Sequence, residues 1–302
     1  MIKNNSKGNI RRLVLLFLAV IFVLPGRVMA QPEKLLIGLI PEINIFKQKQ
    51  RFDSLGAYLT EKTGLQVDFT ILSRYGNIID SFTTEKMDGA FFGSFTGALA
   101  IGKLGVVPLA RPVNPDGSST YHGLLLVRKD GDIGSVADMA GKRMAFVDRA
   151  TTAGFIFPLA YLRDSGITAG VDYFGEYFFT GSHDAAIIAL LDGKADIAAV
   201  KHSIYNRVVE ENARAAKELT VIAKSPNVPS NGLCVRPGLA RPIRDKLQKA
   251  LLDLETSPGG PEVLRKFGAL RFIVTTAADY QPVFEMAKKA GIDIKNYDYL
   301  NE

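Results

Sequence analysis

Two adjacent hydroxyl side chains stand at the end of an apolar segment, in a position suited to binding an anion. Thr151 and Thr152 follow the apolar segment 143–147, and the small residues 153–154 come directly after them. Threonine hydroxyls and free backbone N–H groups at a helix start bind anions, because the helix dipole adds positive potential there. Capping of the following helix would explain only one of the two hydroxyls. Pro158 could be the first residue of that helix, which leaves open whether the threonines belong to the helix or to the loop before it. Either placement predicts an anion-binding loop.

A histidine and a tyrosine occupy matching places in the two copies of an internal repeat. His183 follows a short apolar segment, and Thr180, Ser182 or Asp184 could cap the helix that begins there. A lone histidine is more often structural than functional. Tyr75 stands at the corresponding position of the earlier copy, at the end of another apolar segment. Hydrogen-bonding rings at matching strand ends favour a ligand role for both residues.

The remaining candidates supply two more hydroxyls, a phenol and one full positive charge. Ser94 and Thr96 follow a third apolar segment, Lys201 follows the corresponding segment of the second copy, and Tyr121 precedes a returning strand. Donors outnumber acids at these positions, which predicts a compact anionic ligand. Flat, aromatic and sugar ligands are disfavoured, because the chain has no tryptophan to stack on them.

Other kinds of chemistry lack their motifs. The three histidines show no metal-ligand spacing, and no glycine-rich phosphate loop is present. No nucleophile with a base, and no carboxylate pair, can be assembled at the strand ends. We therefore expect no metal, no cofactor and no enzymatic activity. Cys234, the single cysteine, lies in an apolar run and predicts an inert buried thiol.

The elements that position these residues alternate between strands and helices, which predicts an α/β architecture. Short apolar runs predict strands, at 35–40, 67–72, 89–92, 143–147, 177–179 and 197–200. Amphipathic segments predict helices, at 53–63 and 77–84 and from about 155 and 185. The tail from residue 242 also reads as helices.

The internal repeat organises these elements. Four identities recur at one constant offset, Ile79, Lys86, Asp88 and Ala90 against Ile187, Lys194, Asp196 and Ala198. Any two strand–helix units look somewhat alike, but the shared order of elements on both sides favours a duplication. Two similar lobes joined by two strand-like crossings predict a hinge, with the strand ends facing a cleft. We place one lobe at 31–124 and 229–302 and the other at 125–228.

The first thirty residues predict export. Four basic residues precede an unbroken apolar run at 13–24, and Pro25-Gly26 and Val28-Met29-Ala30 follow it. This run is too short for a membrane span, which needs about 20 apolar residues, so we expect a signal peptide cleaved after Ala30 rather than an anchor. Residues 1–30 hold five of the 37 basic residues and none of the 31 acidic ones. Without them, the net charge of the mature chain is +1. Nucleic acid is therefore not an expected partner.

The chain resembles the substrate-binding components of phosphate, phosphite and phosphonate ABC importers over nearly the whole mature sequence. Thr151-Thr152-Ala153-Gly154-Phe155 to Pro158 is similar to that family's Ser-Thr-Ser-Gly-aromatic to Pro motif. The stretch Gly181-Ser182-His183-Asp184-Ala185 with 191–196 is the most specific match. The resemblance implies a type II periplasmic binding protein fold, with two similar lobes, a two-strand hinge and an interlobe cleft that closes on its ligand.

The resemblance also implies roles for individual residues. Thr151 and Thr152 fall on the oxyanion-binding hydroxyls, His183 on the ligand histidine, and Tyr75 and Tyr121 on tyrosines around the anion. It implies a phosphonate, phosphite or phosphate as the ligand and an ABC permease in the inner membrane as the partner. We expect the protein to act as a monomer in the periplasm.

Two features of this chain refine the ligand. Relatives that bind aminoalkyl phosphonates carry an acid near the position of Lys201; a lysine would repel the ligand amine and favours a smaller or more anionic compound. The segment Phe91-Phe92-Gly93-Ser94-Phe95 lacks the tryptophan and proline of its counterpart, which predicts an altered pocket lining. A phosphorus oxyanion monoanion carries a P–OH donor that sulfate lacks, so selectivity needs an acceptor. Neutral His183 is the predicted acceptor; Asp184 is the weaker candidate because it caps a helix.

Two alternative functions stay open at this stage. A sensor subunit could use the same closed state to trigger a membrane kinase, and only the docking partner would distinguish it from a transport receptor. A receptor for another small anion, such as a sulfonate, would need the same donors.

Overall fold

The computed structural model describes residues 34–300, so the predicted signal peptide and its cleavage site lie outside the described residues. The described strands are, in chain order, β1 (Lys34–Leu39), β2 (Gln66–Ile71), β3 (Gly89–Phe92), β4 (Val107–Val113), β5 (Thr120–Tyr121), β6 (Gly123–Arg128), β7 (Arg143–Phe146), β8 (Glu176–Phe179), β9 (Ile197–Lys201), β10 (Leu219–Lys224), β11 (Val228–Pro229), β12 (Gly232–Val235) and β13 (Arg271–Val274). The α-helices are α1 (Ile45–Thr63), α2 (Asn77–Thr84), α3 (Ser94–Leu104), α4 (Phe157–Asp164), α5 (His183–Leu191), α6 (His202–Glu211), α7 (Ala213–Glu218), α8 (Arg241–Leu252), α9 (Gly260–Phe267) and α10 (Gln281–Lys289).

The strands form two mixed sheets whose orders correspond strand by strand. The first sheet has the order β13-β4-β12-β3-β1-β2 and the second has the order β10-β6-β9-β7-β8. The central strand of each, β3 or β9, pairs in parallel with β1 or β7 and antiparallel with β12 or β6. Among the described strands of these two sheets, only the edge strand β13 has no counterpart. This correspondence supports the duplication that the sequence repeat predicted.

The repeated aspartates make the same contact in both sheets. Asp88 accepts a hydrogen bond from the backbone N–H of Leu36 at 3.1 Å, and Asp196 accepts one from the backbone N–H of Arg143 at 2.9 Å. An arginine side chain adds a second bond to each carboxylate, Arg236 to Asp88 and Arg143 to Asp196. Each carboxylate therefore links the start of its central strand, β3 or β9, to the parallel neighbouring strand, β1 or β7.

A two-stranded ladder connects the two sheets. Strands β5 and β11 run antiparallel, with Tyr121 opposite Val228 and Thr120 opposite Pro229. The chain leaves the first sheet through β5 and returns to it through β11, as predicted for a two-strand hinge. The strands of the first sheet lie within 34–113 and 232–274, and those of the second lie within 123–224. The lobe boundaries at 124 and 228 stay a prediction.

Helix α1 begins eight residues before the predicted start. It begins at Ile45, after Asn44, whose side chain accepts from the N–H of Phe46 at 3.0 Å. The apolar pattern is broken in these first turns, because Ile45 and Phe46 are exposed and the buried position is taken by polar Gln48. The Gln48 side chain accepts a hydrogen bond from the backbone N–H of Glu42 at 3.0 Å, which holds the loop after β1 in place.

Helices cover both sheets and enclose the apolar side chains. Phe91 of the first sheet packs against Phe52 of α1 and Phe267 of α9, edge to face or tilted, with the three ring centroids 5.2 to 6.3 Å apart. Phe146 and Phe155 make a similar contact in the second sheet. Within residues 34–300 no helix combines the length and the apolar character that crossing a membrane requires.

Candidate functional site

A small cavity lies between the two sheets beside the hinge. Its free volume is about 10 Å³, roughly the space that one water molecule needs. Both lobes and the hinge contribute to its lining, which consists of Ile40, Glu42, Tyr75, Gly93, Ser94, Phe95, Tyr121, Ala150, Thr151, Thr152, His183, Lys201 and Asn231. Seven of the eight residues predicted from the sequence are among them.

Thr96 is the predicted residue that the structure does not bring to the cavity. It is completely buried in the first turn of α3, and its hydroxyl donates to the carbonyl oxygen of Gly93 at 3.2 Å. Ser94, two residues earlier, faces the cavity instead. Successive positions of a helix point about 100° apart, so hydroxyls at Ser94 and Thr96 do not face the same side. The sequence-based assignment of Thr96 to the ligand is corrected accordingly.

Three hydroxyls from different parts of the chain meet at the cavity. Ser94 Oγ lies 3.0 Å from Thr152 Oγ1 and also forms a hydrogen bond with Tyr121 Oη. Ser94 belongs to the first lobe, Thr152 to the second and Tyr121 to the hinge. Burial raises the pKa of the Tyr121 phenol, so it stays protonated at neutral pH. The cluster therefore joins both lobes; its two internal bonds use two of the three hydroxyl hydrogens and leave one, so an anion would have to replace these bonds to accept from all three hydroxyls.

The threonines lie at the start of a helical segment. Thr152 begins a π-helical turn, Thr152–Ile156, that continues into α4, and Pro158 is the second residue of α4. Thr151 is extended, and its hydroxyl donates to the Asp148 carbonyl at 2.6 Å. The question that Pro158 left open is thus answered, because Thr152 lies in the helical turn. A Cβ on Gly154 would lie 2.5 Å from Val147, so glycine allows this turn to pack on the end of β7.

Helix starts surround the cavity. Helix α3 begins at Ser94 after Gly93, and α5 begins at His183 after Ser182. The Ser182 hydroxyl and Asp184 carboxylate both accept from the N–H of Ala185, so the cap that the sequence predicted is present. With the turn at Thr152, three helix starts supply partial positive charge and free N–H groups.

Tyr75 brings a buried phenol without a hydrogen-bond partner. It is 3% exposed, and its Oη bonds to no atom of the described residues. The Tyr75 ring contacts that of His183 edge to face, with centroids 6.2 Å apart. Burial raises the pKa of Tyr75 well above its ordinary value, so the phenol is a donor. A buried unpaired hydroxyl costs about 1–3 kcal/mol, which an acceptor oxygen in the cavity would recover.

His183 faces the cavity as a donor. Its Nδ1 accepts a hydrogen bond from the backbone N–H of Lys201 at 3.2 Å. Burial, opposed in part by the charge of Glu42, lowers the pKa of His183 to about 4, so the ring is neutral at pH 7. A neutral imidazole that accepts at Nδ1 carries its hydrogen on Nε2. The prediction that His183 accepts a P–OH hydrogen is therefore wrong, because its acceptor nitrogen is already used.

The cavity contains a carboxylate that the sequence reading missed. Glu42 accepts a hydrogen bond from the ammonium group of Lys201, and its other oxygen lies 3.6 Å from Arg51 Nη1. Lys201 also lies 3.3 Å from the Asn231 side-chain oxygen and 4.4 Å from the centroid of the Tyr121 ring. Glu42 and Lys201 are 8% and 7% exposed. Lys201 lines the cavity as predicted, but it is not a free cation.

The charges around Glu42 keep it ionised. Burial alone would raise the pKa of Glu42, but Lys201 and Arg51 outweigh it and lower the pKa to about 2. Burial and the neighbouring Arg51 and Arg207 lower the pKa of Lys201, although Glu42 opposes them. Glu42 is thus the acid that both Lys201 and Arg51 contact. Glu42 lies three residues after β1, and this position close to a strand end is the signal in the sequence that points to it.

The residues from 37 to 280 match the family model described as the periplasmic substrate-binding protein of phosphonate ABC transporters. The chain belongs to this family. The phosphate-import protein PhnD of Mycolicibacterium smegmatis is 26% identical over 226 residues, which are 72% of this chain and 70% of that protein. The phosphonates-binding periplasmic protein of Escherichia coli is 24% identical over 283 residues, 92% of this chain and 83% of that protein.

The fold agrees with the family. The crystal structure of PhnD1 from Prochlorococcus marinus in complex with methylphosphonate superposes with a TM-score of 0.76 at 21% identity, covering 86% of this chain and 99% of that one. The type II periplasmic binding protein fold predicted for this phosphonate-binding family is therefore confirmed. Family membership makes the chain a substrate-binding component of an importer, a class of proteins that bind and deliver rather than convert.

Proposed function

We propose that this protein is the periplasmic receptor that captures a small phosphorus oxyanion, a phosphonate, phosphite or phosphate, for an ABC importer. The observation that carries the proposal is the convergence of donors from both lobes on one cavity. Ser94, Thr152 and Tyr121 form one hydroxyl cluster, and the unpaired phenol of Tyr75 and the N–H of His183 line the same space. Donors arranged in this way suit the oxygens of a tetrahedral anion.

The anion is held by neutral donors rather than by a free cation. Lys201 is the only lysine or arginine among the described residues that line the inner cavity, and its charge is balanced by Glu42. Binding then depends on hydroxyls, the imidazole N–H and the three helix starts, whose donors need no proton transfer. In this proposal Thr152, Ser94, Tyr75, Tyr121 and His183 donate to the ligand, and Lys201 contributes through one of its three ammonium hydrogens. Thr151 lines the cavity, and its hydroxyl would have to leave the Asp148 carbonyl to donate to the anion.

Glu42 takes the acceptor role that His183 cannot fill. A protonated phosphorus oxyanion carries a P–OH hydrogen, whereas sulfate carries none at neutral pH. The Glu42 carboxylate remains ionised and lines the cavity, so it can accept that hydrogen. Sulfate would place an oxygen lone pair against the same carboxylate, which repels it. Glu42 therefore provides selection for phosphorus over sulfur.

Ligand binding and lobe closure are coupled in this scheme. Ser94 with Thr152, Glu42 with Lys201, and Lys47 with Glu211 all bond across the cleft. The cavity has room for about one water molecule in this structure, so the lobes must separate to admit an anion, whose contacts with both lobes then favour a closed state around it. The permease then receives a closed, loaded receptor. We further propose that the chain is cleaved after Ala30, acts as a monomer in the periplasm and leaves its ligand chemically unchanged.

A binding panel tests the proposal. Purified mature protein is titrated with phosphate, phosphite, methylphosphonate and sulfate by calorimetry, and thermal unfolding is recorded with each. A ligand at one hundred times its dissociation constant should stabilise the protein by about 2.7 kcal/mol. We expect at least one phosphorus compound to do so and sulfate to have little effect. Stabilisation by sulfate alone would reject the proposal, and phosphorus NMR of the recovered ligand checks that it is unchanged.

A further inference from the structure

A second and much larger pocket adjoins the inner cavity. Its volume is about 510 Å³, and it shares Ile40, Glu42, Lys201 and Asn231 with the inner cavity. These shared side chains form the wall between the two spaces. The polar part of the wall consists of the Glu42–Lys201 ion pair and the Asn231 amide, all of which are side-chain tips. Such a wall can open by side-chain rotation without a change in the backbone.

The deep end of this outer pocket carries more positive than negative charge. Arg51 and Arg207 line it together with Lys201, whereas Glu42 is the acid beside them. Arg51 is held by Glu42 at 3.6 Å and donates to the Phe267 carbonyl at 2.9 Å. Arg207 is half-buried and forms no hydrogen bond or ion pair with any residue between 34 and 300.

The acids of the outer pocket lie at its rim. Glu210 is exposed, and the Asp116 side chain is 55% exposed and accepts hydrogen bonds from Ser118. Exposed charges are screened by water and salt, so they offset buried Lys201 and half-buried Arg51 and Arg207 only weakly. The floor is apolar, with Phe52, Phe91 and Phe267. The pocket thus combines an apolar surface with a half-buried arginine that has no partner among the described residues.

We propose that the outer pocket is a second subsite, which binds an anionic substituent carried by the phosphorus compound. This inference rests on the proposed function, because the inner cavity must hold the phosphorus group. The ligand class is a phosphonate or phosphate ester with a carboxylate or a second phosphoryl group on a short carbon chain. The carbon chain passes beside Asn231 and lies on the phenylalanines, and Arg207 pairs with the second anion.

The ion pair explains how the wall can open. When the Lys201 ammonium turns from Glu42 towards the second anion, Glu42 keeps a charged partner because Arg51 lies on its other oxygen. No buried carboxylate is left unpaired by this rotation. Lys201 ends β9 and Arg207 lies six residues further along α6, about 9 Å by helical rise. A second anion on a short carbon chain can then lie between these two cations, which line the same pocket.

A matched ligand series tests the subsite by calorimetry. Methylphosphonate fills only the inner cavity, propylphosphonate adds an uncharged chain, and 3-phosphonopropionate ends in a carboxylate. We expect the wild type to bind 3-phosphonopropionate about tenfold more tightly than propylphosphonate. R207Q should reduce this ratio to about one and leave methylphosphonate affinity within about twofold, whereas R207K should keep most of the ratio.

A control separates the subsite from a general effect of charge. K217Q removes one positive charge from exposed Lys217 on α7 of the same lobe, outside the outer pocket, and should preserve the ratio. Equal binding of the charged and uncharged chains by the wild type would overturn the subsite. So would a ratio that survives R207Q, or binding of methylphosphonate with no binding of either longer compound.

Two further results separate failures of different origin. If R207Q slows the association of all three phosphonates equally while their affinity ratio persists, the pocket is only an entry path and the subsite is rejected. If phosphate, phosphite and methylphosphonate all fail to bind the wild type, the proposed function itself fails. Circular dichroism and the melting temperature of R207Q establish that the variant is folded before either comparison is made.

Discussion

The carboxylate of Glu42 and the ammonium of Lys201 form a buried ion pair across the cleft, although they are 159 residues apart in the chain. Glu42 follows the first strand of one sheet, and Lys201 is the last residue of the central strand of the other. The pair therefore connects the lobes and makes the inner cavity nearly neutral. It also forms the wall between the inner cavity and the outer pocket.

Replacing Glu42 by glutamine should destabilise the protein and weaken its selectivity. The change leaves buried Lys201 and half-buried Arg51 without their acid, and breaking a buried pair costs about 3 kcal/mol. A glutamine amide can donate to sulfate, so the ratio of sulfate to methylphosphonate dissociation constants should fall. Urea unfolding and calorimetry measure the two effects. E61Q, at an exposed position of α1, is the control and should change neither.

An unchanged sulfate ratio in E42Q would remove Glu42 from the recognition of P–OH. The loss of stability can be judged separately, because it depends on the ion pair and not on the ligand.

Removing the Tyr75 hydroxyl should have opposite effects on stability and on binding. Y75F deletes a buried, unpaired polar atom, so the ligand-free protein should be as stable as the wild type or about 1 kcal/mol more stable. Ligand affinity should fall by about 1–3 kcal/mol, because the phenol no longer donates to the anion. Thermal unfolding without ligand and calorimetry with methylphosphonate give both values.

Tyr58 provides a matched control for Y75F. Its hydroxyl is also buried without a partner among the described residues, but Tyr58 lies in α1 and does not line the cavity. Y58F should leave ligand affinity unchanged. Equal affinities for Y75F and the wild type would show that the Tyr75 phenol does not bind the anion.

Variants of Thr152 and Thr96 compare a hydroxyl that lines the cavity with one that only stabilises a helix. T152V removes the hydroxyl that meets Ser94 at the cavity and should weaken methylphosphonate binding by about 1–3 kcal/mol. T96V removes only the internal bond to Gly93 and should change affinity by less than about 0.5 kcal/mol. Calorimetry of both variants decides the point, and a larger effect of T96V would contradict the assignment of the cavity.

Stability should depend on pH through His183. Its pKa is about 4 in the folded protein, mainly because of burial, and its ordinary value is 6.5. Below pH 6.5 the unfolded chain takes up a proton that the folded protein does not, so the free energy of unfolding falls as the pH falls to about 4. The loss is up to about 3 kcal/mol for this group. Burial and the charges of His122 and Lys201 also lower the pKa of His202 to about 4.

H183N should remove about half of the loss between pH 6.5 and 4, because His202 still titrates. Asparagine retains an acceptor for the Lys201 N–H, which limits other damage. Glu42 acts in a lower window, because its pKa is lowered: its contribution is present above about pH 4.5 and is lost as the pH falls towards 2. Urea unfolding at a series of pH values measures both windows, and a wild-type pH profile in H183N would refute the first.

Local patterns predicted most of the elements and the location of the site. Helix α2 begins and ends at the predicted residues, and the repeated segments around Ala90 and Ala198 are strands as predicted. Strand ends in an α/β sheet converge, so residues chosen at those ends reached one cavity. The prediction for Thr96 was wrong because the position of this residue within the helical turn, rather than its distance from the strand, determines where its hydroxyl points.

The sequence by itself determined the alternation of strands and helices, the duplication and the kinds of donor that stand at the strand ends, because all of these are local or periodic. Only the tertiary structure decided which charges meet. The pairing of Glu42 with Lys201 and the use of His183 Nδ1 by a backbone N–H depend on how distant segments pack. Burial then turns those contacts into protonation states, and composition or spacing along the chain cannot reveal this effect.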